Sequence, residues 1–304
     1  MDERSGEDLG AKAGIRLEDP RQVGSFVDVR GVKVFFRSAG SGSPIVLLHG
    51  FPSSSYDWRE FLAPLSKFGR VIAPDLYGFG YSEASSQIDI SKFIPEFAAA
   101  MSLDRFTLGG YDRGGSLALE YAIENPGRVS RLIVMSTTTY PDWVDHARKS
   151  PAYAPTRRMM SNSLVRSIAL TFFLGRKRLQ HILAPTSGVK IADDILDLQS
   201  VFYKRGIRNL ARMRPVPYTE PYFAAIEEER HRLAEKVRDL RMPTLIVFGK
   251  DDPYFPLGTA EHLHRDIAGS TLHVLEHAGH VLTEERPKEV IDLIVAFLAE
   301  TAAN

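Results

Sequence analysis

The run Phe106-Thr107-Leu108-Gly109-Gly110-Tyr111-Asp112-Arg113-Gly114-Gly115 leaves the backbone few paths. Its apolar first half reads as a buried strand and a helical pattern from Gly114 to Ile123 follows at once, so the chain must turn sharply at Asp112. A residue at the tip of such a turn is strained and exposed, and the positions two before and two after it must be small. Gly110 and Gly114 meet that demand. A carboxylate displayed in this way is a candidate nucleophile. It attacks a saturated carbon by displacement and becomes an alkyl ester, whereas a serine there would attack a carbonyl. Asp is also a favoured helix N-cap, and the turn taken alone permits that plainer role.

The same strand-then-helix grammar extends along the chain. Ser25 to Val29 and Val32 to Arg37, joined at Arg30-Gly31, read as an opening hairpin. Ile45 to His49, Val71 to Pro74, Phe106 to Tyr111 and Leu132 to Ser136 are short, nearly all-apolar runs, as parallel strands buried on both faces require. Helical patterns at Trp58 to Leu65, Ile90 to Met101 and Gly114 to Ile123 lie between them, implying βαβ crossovers and a mostly parallel central sheet flanked by helices. Thr244 to Phe248 and Thr271 to Leu275 continue the strands, and Glu284 to Thr301 closes the chain as an amphipathic helix.

From about Thr139 to Leu240 the alternation stops. Helical periodicities at Leu164 to Leu174, Ala192 to Phe202 and Pro221 to Val237 replace it. The organisation expected is therefore a flexible tail over residues 1–21, an α/β core over 22–138 and 241–304, and a helical cap over 139–240, inserted after the sixth strand. In open parallel sheets the edge it would cover is where ligands bind.

Five short segments in this order resemble the α/β-hydrolase superfamily, in its aspartate-nucleophile branch of epoxide hydrolases and haloalkane or fluoroacetate dehalogenases. They are His49-Gly50-Phe51-Pro52, Asp75 to Ser82, the elbow at Asp112, Gly249-Lys250-Asp251-Asp252-Pro253, and Gly279-His280. The resemblance implies Asp112 as nucleophile, His280 as general base and Asp252 as the carboxylate that orients it. The spacing from Gly249 favours Asp252 over Asp251. The backbone N–H groups of Phe51 and Arg113 would form the oxyanion hole, and His49 would support that turn.

Epoxide hydrolases and dehalogenases differ in what meets the leaving atom. An epoxide oxygen needs a proton donor, and the cap offers Tyr153, Tyr203, Tyr218 and Tyr222, with Tyr203 and Tyr222 ranked first. A halide needs N–H donors, and the chain has two tryptophans, Trp58 and Trp143, with neither Trp nor Asn at the dehalogenase positions. Asp112-Arg113 resembles fluoroacetate dehalogenases, but Ser116 stands where they carry a second arginine. Trp143 and Phe51 are expected in the substrate pocket, with Phe172, Phe173, Phe202, Phe223 and three methionines making the underside of the cap apolar. The favoured reading is hydrolysis of an apolar or aromatic epoxide to a diol. A dehalogenase, a non-hydrolytic biosynthetic enzyme and a ligand-binding protein on the same fold remain alternatives.

Charge and composition narrow the partners to a small-molecule substrate. The 304 residues carry 38 basic and 38 acidic side chains, which disfavours nucleic acid and membrane surfaces as partners of the whole molecule. The segment Asp142 to Arg241 holds 19 Lys or Arg against 11 Asp or Glu, a bias that reads as a solvated surface or as a preference for electron-rich substrates. A polar N-terminus and the lack of a long apolar run suggest a cytoplasmic protein. With no cysteine and no ligand cluster of metal spacing, neither metal nor organic cofactor is expected. Nothing in the sequence sets the oligomeric state.

Overall fold

A computed structural model of the chain describes residues 20–302, apart from 85–88, 171–173, 186–187 and 214. Residues 1–19 of the expected tail lie outside the described residues, as do Phe172 and Phe173.

Eight strands form one sheet: β1 (Ser25–Val29), β2 (Val32–Ala39), β3 (Pro44–Leu48), β4 (Arg70–Pro74), β5 (Phe106–Tyr111), β6 (Val129–Met135), β7 (Thr244–Gly249) and β8 (Ser270–Leu275). Their spatial order is β1-β2-β4-β3-β5-β6-β7-β8. The β1–β2 hairpin turns at Arg30 and Gly31, both with positive φ (55° and 86°), a turn whose twist matches that of paired strands. β2 runs antiparallel to β4, and every later pairing is parallel.

Alternate residues of the central strands feed two cores. Val46, Leu48, Leu108, Val134 and Ile246 pack with Phe93, Phe97 and Leu117, from the helices Phe93–Ala100 and Asp112–Glu124. Ile45, Leu47, Ile133, Met135 and Leu245 meet Val290, Ile294, Phe297 and Leu298 of the C-terminal helix Pro287–Ala302. Those four helix side chains contribute on the order of 6–12 kcal/mol of burial before the cost of ordering the chain. The helix starts at Pro287 and not at Glu284, because a proline disfavours helical geometry in the residue before it. Arg286 accordingly leaves it (φ −141°, ψ 45°), and Glu284 belongs to a separate short helix, Leu282–Glu285. The helix expected over Trp58 to Leu65 is likewise two short turns, Ser55–Trp58 and Leu62–Leu65.

Between β6 and β7 the described residues form helices and no strand: Asp142–Lys149, Ala154–Ser161, Ser163–Ile168, Arg176–Leu183, Asp193–Leu210 and Glu220–Lys236. Of the helix expected over Leu164 to Leu174, Ser163–Ile168 is α-helical and residues 171–173 lie outside the described residues, and three of the others carry too few apolar residues to show a period. These helices are tied to the loops at the C-terminal edge of the sheet. Arg205 donates to the Ser82 carbonyl at 2.9 Å, Arg230 to that of Thr138 at 2.7 Å, and Asn209 to that of Gly78. Gly206 sits so close to the turn after β3 that a Cβ there would lie 2.3 Å from the Pro52 carbonyl oxygen. No helix among the described residues is long and apolar enough to cross a membrane.

Candidate active site

Asp112 follows β5 and opens the helix Asp112–Glu124 with φ of 51°, a left-handed conformation that costs an L-residue roughly 1–3 kcal/mol. Hydrogen bonds hold it there: its N–H donates to the Ser136 carbonyl at 3.2 Å, and the Thr137 hydroxyl donates to its own carbonyl at 2.7 Å. The flanking glycines are required on steric grounds. A Cβ on Gly110 would stand 2.5 Å from the backbone of Gly114, and one on Gly114 would stand 2.5 Å from the Leu48 carbonyl oxygen.

The two carboxylate oxygens have different surroundings. The Phe51 N–H donates to Oδ1 of Asp112 at 2.7 Å. The carbonyl of that same peptide, Gly50, accepts from the His49 ring at 2.8 Å and from the Ser53 N–H at 3.1 Å. Donors on the carbonyl side polarise the peptide and sharpen its N–H as a donor. His49 is suited to this work. The Leu76 N–H donates to its Nε2 at 2.9 Å, which assigns the proton to Nδ1, and burial lowers its pKa and keeps it neutral. Arg113 holds the second position of the helix, where a backbone N–H has no intrahelical partner. Its guanidinium is turned away to Glu120 at 2.6 Å, away from the cavity where a haloacid carboxylate would bind.

Oδ2 of Asp112 faces His280, whose Nε2 lies 3.5 Å away. The other imidazole nitrogen meets Oδ2 of Asp252 at 2.9 Å. The remaining oxygen of Asp252 accepts the N–H groups of Tyr254 (2.8 Å) and Phe255 (3.1 Å), so the carboxylate is fixed, whereas Asp251 is exposed. Burial works against a charge on His280, yet Asp252 and Asp112 outweigh it and push its pKa up to about 10. The nucleophile, base and orienting acid expected from the sequence are thus brought together.

A cavity of about 970 Å³ opens between these groups and the inserted helices. Phe51, Tyr153, Tyr203 and Tyr218 line it; Trp143 and Tyr222 do not, contrary to expectation. Trp143 stands behind Tyr153, donating its indole N–H to the Tyr153 hydroxyl at 2.8 Å and stacking on Phe255. Tyr222 packs behind Tyr218, its ring centroid 6.2 Å away. Tyr153 and Tyr218 are neighbours with ring centroids 5.9 Å apart. The Tyr153 hydroxyl also donates to the Tyr254 carbonyl at 3.1 Å, and that of Tyr218 has no hydrogen-bond partner among the described residues. Burial first, and then the nearby Asp112 charge among other groups, raises both phenols well above their usual pKa. For Tyr203 the buried acids Asp57 and Glu284 weigh more than Asp112.

A buried network beneath Asp112 escapes sequence reasoning, because its members look like helix-entry polar residues. Asp57 accepts the hydroxyls of Ser53 and Tyr111 and, at 2.8 Å, the amide of Gln199 from the helix Asp193–Leu210. Gln199 also reaches Glu284, whose two oxygens accept from Nη1 and Nη2 of Arg59 at 2.5 and 2.7 Å. Tyr254, a cavity residue 5.0 Å from the His280 ring, was also not singled out; its position two after Asp252 is the available signal.

Known proteins agree with this architecture. Residues 43–287 match the alpha/beta hydrolase fold family. A 2-hydroxy-6-oxo-2,4-heptadienoate hydrolase of Pseudomonas putida is 29% identical, over 91% of this chain and 97% of its own. A haloalkane dehalogenase of Mycolicibacterium paratuberculosis is 30% identical, over 92% and 94%. A soluble epoxide hydrolase of Corynebacterium sp. is 26% identical, over 89% and 95%. The three names describe different bonds cut on one scaffold. The chain belongs to the alpha/beta hydrolase fold family and is a hydrolase of that family.

Proposed function

We propose that this hydrolase opens an epoxide to a diol through an alkyl ester on Asp112. The observation that carries the reading is the pair Tyr153 and Tyr218 on the cavity wall, 5.9 Å apart and both within the field of Asp112. Oδ2 attacks a ring carbon, the ring C–O bond breaks, and a tyrosine gives its proton to the departing oxygen. A raised pKa keeps the phenol neutral beforehand. As the attack consumes the Asp112 charge, one cause of that raised pKa disappears and the phenol becomes a better acid as the reaction needs it.

The second half-reaction runs on the same electrostatics. Esterification removes the Asp112 charge from beside His280, lowering the imidazole pKa from its free-enzyme value. The imidazolium gives its proton to solvent, and the neutral His280 then takes a proton from water as the hydroxide adds to Cγ of Asp112. Once the Asp112 carboxylate is restored, the imidazole regains its resting proton from solvent. Negative charge gathers on Oδ1, which Phe51 holds and the Arg113 N–H would join. Collapse breaks the Cγ–Oδ2 bond, and the diol leaves with Oδ2 and the proton from His280. The acid left on Asp112 reprotonates the tyrosinate.

A halide product fits less well, because the cavity lining among the described residues has no indole or carboxamide N–H. One turnover in heavy-oxygen water tests the reading, with epoxide and haloalkane substrates run in parallel. The expected result is label in the Asp112 carboxylate after epoxide turnover and an ester trapped on Asp112 in His280→Gln. Label entering the diol directly, with Asp112 unlabelled, would refute it.

A further inference from the structure

The cavity wall has two electrostatic ends. Asp112 is its one acidic residue among the described lining residues. Arg158, Arg178 and His181, all exposed, also border the cavity. No carboxylate partner of Arg158 or Arg178 is found among the described residues, whereas Arg148, Arg176 and Arg232 on the same inserted helices are all paired with acids. Burial, Asp252 and Asp112 raise the pKa of Tyr254, the neighbour of His280, and the charge of Arg178 reaches inward far enough to oppose that rise. The surface between these ends is apolar, with Met159, Val165, Leu174, Ile182, Ile207 and Leu210. The volume of about 970 Å³ is at the upper end of the roughly 300–1,000 Å³ usual for ligand pockets.

A small neutral epoxide would leave the basic border unused. We infer that the substrate is an amphipathic epoxide carrying a carboxylate at the end away from the ring, held by Arg158, Arg178 and His181 while the ring reaches Asp112. This rests on the epoxide reading above and specifies its substrate class. The same charges set direction. Asp112 repels the carboxylate from the floor of the cavity and the arginines attract it to the mouth, so the ring enters first and the wrong orientation is penalised. An exposed guanidinium–carboxylate contact of about 1 kcal/mol corresponds to roughly five-fold in affinity.

The test compares an ω-epoxy fatty acid, its methyl ester and styrene oxide on the wild type, Arg158→Gln and Arg178→Gln. Calorimetry with the saturated fatty acid and the matching alcohol adds a readout independent of turnover. The proposal expects the acid to have the lower KM. Each variant then raises that KM about five-fold with kcat unchanged, while ester and styrene oxide are unaffected. Added salt weakens the acid alone. Equal KM values for acid and ester, unmoved in both variants, overturn the anionic substrate and leave the epoxide reading intact. Fatty-acid binding that is lost in the variants, with no epoxide turned over, supports the cationic mouth and overturns the epoxide chemistry.

Discussion

Nε2 of His280 lies 3.5 Å from Oδ2 of Asp112, the carboxylate oxygen that the Phe51 N–H does not hold. In the proposed mechanism Oδ1 takes the charge that develops during hydrolysis, and Oδ2 shares its negative charge with the imidazole. The state of the nucleophile therefore sets the state of the histidine.

Asp112→Asn should show this directly. In the free wild type His280 is expected to stay protonated through pH 8, with its pKa near 10. The substitution removes one of the two carboxylates responsible, and the pKa should fall by a unit or more, about 1.4 kcal/mol per unit. Nitrogen-15 NMR of the imidazole reads both values. A wild-type titration near 6.5, or one that the substitution leaves in place, would contradict the coupling.

The same shift makes stability depend on pH. A folded pKa near 10 against an ordinary 6.5 means that the charged His280 contributes fully below about pH 6.5 and loses its contribution as pH rises toward 10. Chemical denaturation of the wild type should therefore show a decline between pH 7 and 10 that His280→Gln lacks. Parallel declines in the two proteins would count against it.

Tyr153→Phe and Tyr218→Phe should each lower kcat/KM for an epoxide about 100-fold, within the range for a lost general acid. The double variant should approach background. Tyr222→Phe, which alters a ring behind the wall, should turn over nearly as the wild type does. Circular dichroism separates these losses from unfolding, and an undiminished double variant would exclude the tyrosines as proton donors.

Asp57→Leu should destabilise the protein by about 3 kcal/mol, since it removes from a buried site the carboxylate that accepts the Ser53 and Tyr111 hydroxyls and one Gln199 N–H. Urea unfolding measures the loss. A change under 1 kcal/mol would mean that the network relaxes or admits water.

The fold is legible in the sequence wherever a segment is buried on both faces. The central strands stand out as short, nearly unbroken apolar runs and the opening hairpin by its turn at Arg30-Gly31, whereas Asp112, Asp252 and His280 are singled out because each follows a strand with a glycine within three residues. The inserted helices read poorly. Arg176–Leu183 carries Leu179, Ile182 and Leu183 among polar residues, too few to show a period. Of the two tyrosines ranked first, Tyr203 lines the cavity and Tyr222 does not, for a different reason. Tyr218 reaches the cavity from a turn where its own φ is 61°, and Tyr222 points elsewhere from the helix beside it, a distinction made by tertiary packing alone.

Gly206 against Pro52 has a consequence for how substrate range can change. Where two backbones touch, no side chain can be trimmed to let the roof rise, and any enlargement at Gly206 pushes on the turn that carries the Phe51 N–H. New room must therefore come from above, by shortening Met159, Ile168 or Ile182, which line the cavity without touching its chemistry. Descendants of this enzyme, natural or designed, are free to resculpt the ceiling and bound to inherit the floor.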